Sequence, residues 1–207
     1  MTDPRTQLVA DTYDAIADRF ADWQGEIADD PRSSWRDALL SRVPEGASVL
    51  ELGCGAGGKD TTSLAGRFDV TGVDISAEQI VRARANVPTA HFVHADFTEI
   101  DFPTATFAAV ASFYAFNHIP RELLPDVFAR IRAWLVPGGY FLAALGAGDT
   151  SGWTGQWLGT TTFFSSYPAD INRRLLVDAG FALDLDEVVT LREPEGDVQF
   201  HWILART

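Results

Sequence analysis

The sequence holds a single cysteine, Cys54, so neither an intrachain disulfide nor a cysteine-rich metal centre can be built from it. Positive charge is also scarce. Sixteen Lys and Arg stand against 29 Asp and Glu, a formal net charge of -13 with a pI near 4.5. Such a field repels phosphate backbones and anionic lipid surfaces, and a nucleic-acid binder needs a basic stripe, so neither nucleic acid nor membrane is expected as a partner. Long apolar runs are missing: the best, Phe107 to Phe116, falls far short of the about 20 residues that a spanning helix needs. Met1 to Asp11 mixes Asp3, Arg5 and Asp11 with polar residues and lacks the apolar stretch of a signal peptide. A cytoplasmic location is the expectation. At 207 residues and 46% hydrophobic composition the chain can fill one core and is short for two, so one domain over 1–207 is expected. The oligomeric state is not legible.

What is present is an alternation. Gln7 to Trp23 carries Leu8, Tyr13, Ile16, Ala17 and Phe20 at the spacing of an amphipathic helix, and a second helix is expected over Ser34 to Val43, closed by Pro44 and Gly46. From Ser48 short apolar runs alternate with helical segments. Strands are expected at Ser48–Leu52, Asp69–Val73, His91–His94, Phe107–Ser112 and Tyr140–Leu145, with helices near Lys59–Ala65, Ala77–Ala85 and Arg121–Leu135 between them. Near-continuous apolar strands separated by helices indicate an α/β fold with a parallel sheet covered on both faces. After Gly146 the rhythm stops in a segment rich in Gly, Thr and aromatics. A helix near Pro168–Ala179 follows, then two strands, Ala182–Leu191 and Val198–Ala205, made antiparallel by the turn Pro194-Glu195-Gly196-Asp197.

The first strand, Ser48-Val49-Leu50-Glu51-Leu52, runs into Gly53-Cys54-Gly55-Ala56-Gly57-Gly58. Glycines at a strand–helix turn let a ligand lie against bare main chain. Gly53, Gly55 and Gly58 also satisfy G-x-G-x-x-G, so a nicotinamide-dependent reductase is the rival reading. Glu51 weighs against it, because a carboxylate at the strand end would repel the pyrophosphate that such a loop receives. S-adenosylmethionine has no phosphate and carries an ammonium and a sulfonium, which that carboxylate attracts. The next strand ends in Asp74, where it can accept from both ribose hydroxyls; Ile75 would lie against adenine, and Ser76 with Gln79 forms a capping box. Asp96, in Ala95-Asp96-Phe97, either accepts from the adenine amine or serves its own turn.

With these residues placed, the chain closely resembles class I S-adenosylmethionine-dependent methyltransferases, in the small-molecule branch that includes the ubiquinone and menaquinone biosynthesis enzymes. The matching pieces are Val49 to Gly57, Val70 to Ser76, His94 to Phe97 and Leu135 to Leu142, in the expected order. The resemblance implies a Rossmann-like seven-stranded sheet with one antiparallel strand in the C-terminal hairpin, S-adenosylmethionine as cofactor and S-adenosylhomocysteine as product. It implies Glu51 for the methionine amine, Gly53, Gly55 and Gly57 for the methionine and ribose region, Asp74 for ribose and Asp96 for adenine, with Ile75, Phe97 and Phe113 as further cofactor contacts. Tyr13 resembles a lid tyrosine at the methionine end; its competing reading is a core aromatic. Residues 1–45 would then form a helical lid, 46–146 the cofactor-binding core and 147–207 an acceptor segment, helix and hairpin. The chain departs from the family pattern at Ala108 and Phe20.

Methyl transfer is an in-line displacement for which alignment and exclusion of water provide much of the rate. The acceptor is expected to be a small molecule, with a hydroxyl of an apolar or aromatic metabolite preferred over nitrogen or carbon, and a non-catalytic cofactor-binding protein as the other alternative. His118, after the fourth strand, is the candidate base, against a purely structural role; Tyr114 and Asn117 either orient an acceptor or only hydrogen-bond the loop. Trp153, Trp157 and Tyr167, with Phe163 and Phe164, are candidates for the acceptor wall, or else a satellite cluster. His201 and Trp202, in the last strand, read as structural.

Overall fold

The computed structural model describes residues 3–207; Met1 and Thr2, the start of the Met1–Asp11 stretch, lie outside the described residues. Helices α1 (Pro4–Glu26) and α2 (Arg32–Leu40) precede an alternating unit of β1 (Ser48–Leu52), α3 (Lys59–Ala65), β2 (Asp69–Asp74), α4 (Ala77–Asn86), β3 (His91–His94), β4 (Phe107–Ser112), α5 (Leu124–Trp134) and β5 (Leu135–Gly146). A separate hairpin, β6 (Thr150–Trp157) and β7 (Thr160–Ser166), leads to α6 (Ala169–Asp178) and the closing hairpin of β8 (Ala182–Glu193) and β9 (Gly196–Arg206). The main sheet has seven strands in the order β3-β2-β1-β4-β5-β9-β8. β1 to β5 run parallel, and β9 alone opposes its neighbours β5 and β8.

Each strand sorts its side chains between two cores, because successive residues point to opposite faces. Leu50, Leu52, Val110, Phe141 and Ile203 join Val127, Phe128, Ile131 and Trp134 of α5 on one side. Val49, Ala109, Leu142, Trp202 and Leu204 join Trp35 and Leu39 of α2 and Leu64 of α3 on the other. The α5 residues Leu124, Val127, Phe128 and Ile131 follow the i, i+3, i+4, i+7 stripe that covers a sheet. Removing the fully buried Phe128 ring would cost about 3–5 kcal/mol. The helix starts three residues later than the pattern suggests, since Pro125, which lacks an N–H, is accommodated only in the first turn and Arg121–Leu123 forms a 3₁₀ turn instead.

The β6–β7 hairpin occupies the Gly-, Thr- and aromatic-rich segment where no strands are expected. Its two-residue turn is Leu158-Gly159, with φ of 47° and 75°, a conformation normally announced by Asn-Gly or Asp-Gly and not by leucine. The closing hairpin is longer than expected at both strands, which narrows its turn to Pro194-Glu195 and carries the tip as far as α1, where Trp23 Nε1 donates to Glu195 Oε2 at 2.9 Å. Helix α1 lies outside the sheet layers, against β7 and α4. Asp14 fastens it, accepting from Ser76 Oγ at 2.5 Å and the Glu78 amide at 3.0 Å, and Thr12 Oγ1 donates to the Thr161 carbonyl at 2.8 Å. Among the described residues no helix is long and apolar enough to cross a membrane.

Candidate functional site

The strand order reverses between β1 and β4, and ligands of open α/β sheets bind where the carboxyl ends diverge at such a point. A cavity of about 1430 Å³ opens there, walled by α1 and α2, the loops after β1, β2, β3 and β4, the β6–β7 hairpin and the β8–β9 tip. One small ligand commonly occupies about 300–1,000 Å³, so two fit.

Strand alternation puts Glu51 on the Val49 face, toward α2 and α3. Glu51 is 3% exposed, and among the described residues its Oε2 has no hydrogen-bond partner. Burial, opposed by the Thr61 hydroxyl and Arg32 and reinforced by Asp60 and Asp74, pushes its carboxyl up to about 8. A buried acid held this way is stabilised by any cation that reaches it. The nearby cation is Arg32, which pairs with Asp30 at 2.8 Å and more loosely with Asp60 at 3.4 Å, beneath the Tyr114 ring.

The glycines of the following loop divide by role. Gly53, Gly55 and Gly57 all have positive φ, at 70°, 53° and 68°. A Cβ on Gly53 would stand 2.3 Å from Ala115 Cβ, and one on Gly57 would stand 3.1 Å from Ala83 Cα of α4, so these two admit neighbouring protein. Gly55 alone of the three would point a Cβ into open space, and it lines the cavity, whereas Gly57 does not. Assigning Gly57 to cofactor contact is therefore corrected: it is a helix-packing glycine. Asp74 holds the loop, its Oδ2 accepting from the Gly55 amide at 2.8 Å and its Oδ1 from the Ser76 amide at 2.9 Å. The expected capping box is consequently half formed. Ser76 Oγ accepts from the Gln79 amide at 3.1 Å, but Asp74 has taken the Ser76 amide, and Gln79 Nε2 is left buried, unpartnered and at the cavity wall. Asp96 shows a similar division. Its Oδ1 accepts from the Thr98 amide and hydroxyl at 2.8 and 2.7 Å, while Oδ2 is shielded without a donor. Ile75, Phe97 and Phe113 line the same cavity.

On the opposite side Tyr13 and His118 meet at 2.8 Å, hydroxyl to Nε2. His118 Nδ1 lies 3.0 Å from the Phe163 carbonyl, which can only accept. Nδ1 therefore carries the proton, and the Tyr13 hydroxyl donates to a bare Nε2. Burial lowers His118 to about 4 and raises Tyr13 above its ordinary value, so both are neutral. Around them Phe20, Trp23, Trp157 and Phe164 interlock, Trp157 lying 5.3 Å from Trp23 and 5.6 Å from Phe164. Trp153 is 44% exposed at the rim and packs on Phe164 at 5.8 Å. Two candidates are placed differently from expectation. Tyr114 lines the cavity, but its hydroxyl donates to Asp30 at 2.8 Å, which removes it as a catalytic group and ties the post-β4 loop to the segment before α2. Tyr167 lies outside the cavity lining, its ring beneath the Arg121 guanidinium at 4.5 Å, because β7 has ended and the chain is turning into α6.

A family model described as a methyltransferase domain matches residues 49–139, the stretch that contributes Glu51, the glycine loop, Asp74 and Asp96. Over that stretch the chain is similar to methyltransferase domains. The domain is 36% identical over 110 residues to the 2-methyl-6-phytyl-1,4-hydroquinone methyltransferase of Synechocystis, covering 51% of this chain and 34% of that one. The curated relatives it matches first are spanned over only 28% to 34% of their length. Among solved structures it is similar to the 1,6-didemethyltoxoflavin-N1-methyltransferase of Burkholderia thailandensis, at 20% identity and a TM-score of 0.73, covering 100% of this chain and 91% of that one. The [4+2]-cyclase SpnF is similar at 18% identity and a TM-score of 0.74, covering 100% and 97%. S-adenosylmethionine is the cofactor of the methyltransferase family.

The cavity fits that cofactor on three observations: the free buried Glu51 oxygen suits an ammonium, the open face of Gly55 leaves room at the main chain, and the free Asp96 oxygen suits an amine donor. Arg32 adds a cation that no motif announced, since an arginine at the start of a short helix is an ordinary surface residue by sequence, and Gln79, expected only as a capping residue of α4, adds a donor.

Proposed function

We propose that this domain transfers a methyl group from S-adenosylmethionine to a small molecule with an apolar or aromatic body, a hydroxyl being the preferred nucleophile. When bound, the cofactor supplies a methyl carbon activated by its sulfonium. The observation that carries the reading is Glu51 Oε2, a shielded carboxylate oxygen without a donor at the end of β1. Glu51 would hold the ammonium, Arg32 the carboxylate, Asp74 and Gln79 the ribose, Asp96 the adenine amine, with Ile75, Phe97 and Phe113 against the ring. These groups orient the cofactor across the sheet and leave the aromatic half of the cavity for the acceptor.

Tyr13 and His118 would manage the acceptor proton. A hydroxyl entering beside Tyr13 can donate to its oxygen while Tyr13 donates to His118 Nε2. A neutral hydroxyl becomes strongly acidic once its oxygen begins to bond to the methyl carbon, so a weak base suffices late in the step. Trp153, Trp157 and Phe164 would exclude water. Nitrogen or carbon acceptors and a non-catalytic cofactor binder are the alternatives. On charge grounds nucleic acid and membrane surfaces are not proposed partners, and a single domain working in the cytoplasm is the proposed setting. The test is incubation with methyl-labelled cofactor and a panel of hydroxylated aromatics: labelled ether product supports the reading, whereas label that stays on tightly bound cofactor across the panel favours the non-catalytic one.

A further inference from the structure

Two acceptor groups on the acceptor side of the cavity have no donor among the described residues. Asn117 Oδ1, beside His118, is shut off from solvent and has no donor among the described residues. The extended β8–β9 tip brings Glu193, Glu195 and Asp197 to the cavity wall. Glu195 is engaged by Trp23, while Glu193 is half-buried, with no hydrogen bond or ion pair among the described residues. Burial and Glu195 push the Glu193 carboxyl up to about 7, the mark of an acid lacking a counter-charge. Its field reaches the centre of the cavity: behind burial and Asp74 it helps raise Tyr13, and behind burial and Asp30 it helps raise Tyr114. No Lys or Arg of β6, β7, β8 or β9 lines the cavity. The cations that do, Arg32, Arg36, Lys59 and Arg82, belong to α2, α3 and α4, and all but Lys59 are already ion-paired. Trp23, whose Nε1 holds the neighbouring Glu195, and Trp157 line the same cavity as Glu193, the two rings meeting edge to face at 5.3 Å.

We propose that the methyl acceptor carries a positively charged nitrogen, received between the Glu193 carboxylate and the aromatic faces of Trp23 and Trp157. An unpaired carboxylate next to electron-rich ring faces is complementary to an ammonium and repels carboxylates and phosphates. The inference rests on the proposed methyl-transfer site, concerns binding, and adds no covalent step.

The test is calorimetric titration of three indole probes of similar shape into protein saturated with S-adenosylhomocysteine: tryptamine, cationic; tryptophol, neutral; and indole-3-propionate, anionic. Tryptamine is expected to bind about tenfold more tightly than tryptophol, with indole-3-propionate weakest. In Glu193→Gln the first two should come within about twofold of each other while S-adenosylhomocysteine still binds. Equal affinities, a preference for the anion, or no binding by any probe overturns the inference and leaves the cofactor site standing. Failure of the unaltered protein to bind S-adenosylhomocysteine overturns both. If Glu193→Gln itself cannot hold S-adenosylhomocysteine, the ranking of the probes on the unaltered protein decides.

Discussion

The Tyr13 hydroxyl donates to His118 Nε2 at 2.8 Å, joining the outermost helix to the loop that follows the central strand β4. The contact fixes the imidazole tautomer from one side while the Phe163 carbonyl fixes it from the other. Tyr13→Phe removes the donor and leaves a buried acceptor unmet, which costs about 1–3 kcal/mol. Chemical denaturation should register that loss, and nitrogen NMR should find His118 protonated at Nδ1 in the unaltered protein.

Acid stability follows from the same residue. His118 is held at about 4 in the folded chain against 6.5 when unfolded, so folding demands its neutral form. Its contribution is complete above pH 6.5 and is lost as pH falls toward 4, by roughly 3 kcal/mol over that window. The stability deficit of His118→Gln relative to the unaltered protein, measured at a series of pH values, should therefore shrink between pH 6.5 and pH 4. A deficit that stays constant would mean that the imidazole is not held neutral.

Much of this site can be read from the sequence, and the reason lies in where its residues sit. Glu51, Asp74 and Asp96 lie at or just after the ends of strands that the sequence marks, and the glycine loop declares a close approach of backbone to something. What the sequence hides depends on contacts across the fold. Gly57 and Gly55 look alike in the motif, yet one abuts α4 and the other faces open space. Tyr114 looks available until Asp30 is brought beside it, and Glu193 looks like a turn residue until the lengthened hairpin carries it over the cavity. Leu158 in a left-handed turn concealed the β6–β7 hairpin altogether.

The two glycine roles separate experimentally. Gly53→Ala introduces a Cβ at 2.3 Å from Ala115 Cβ and should destabilise the fold by about 1–3 kcal/mol, a loss partly restored by adding Ala115→Gly. Gly55→Ala meets no protein atom, so its larger effect should fall on cofactor affinity, with melting of the ligand-free protein lowered only by about 1 kcal/mol of backbone strain. Thermal unfolding with and without S-adenosylhomocysteine distinguishes them.

Glu51 predicts proton release. Its carboxyl stands at about 8 in the ligand-free protein, so below that pH it is largely protonated. An arriving ammonium favours the ionised form, so binding expels a proton and affinity rises with pH up to about 8. Titration calorimetry near pH 7 in two buffers of different ionisation enthalpy should give different heats for the unaltered protein. Glu51→Gln should give heats that no longer depend on buffer through this group, with affinity reduced by roughly ten- to hundredfold, since a charged hydrogen bond is worth about 1.5–3 kcal/mol.

The most direct test of the central claim is a crystal structure with S-adenosylhomocysteine. The cofactor product should lie across the ends of β1, β2 and β3, its amine on Glu51 Oε2 and its adenine amine on Asp96 Oδ2. Adenine at the Glu51 end, or density absent from this cavity at saturating ligand, would contradict the account.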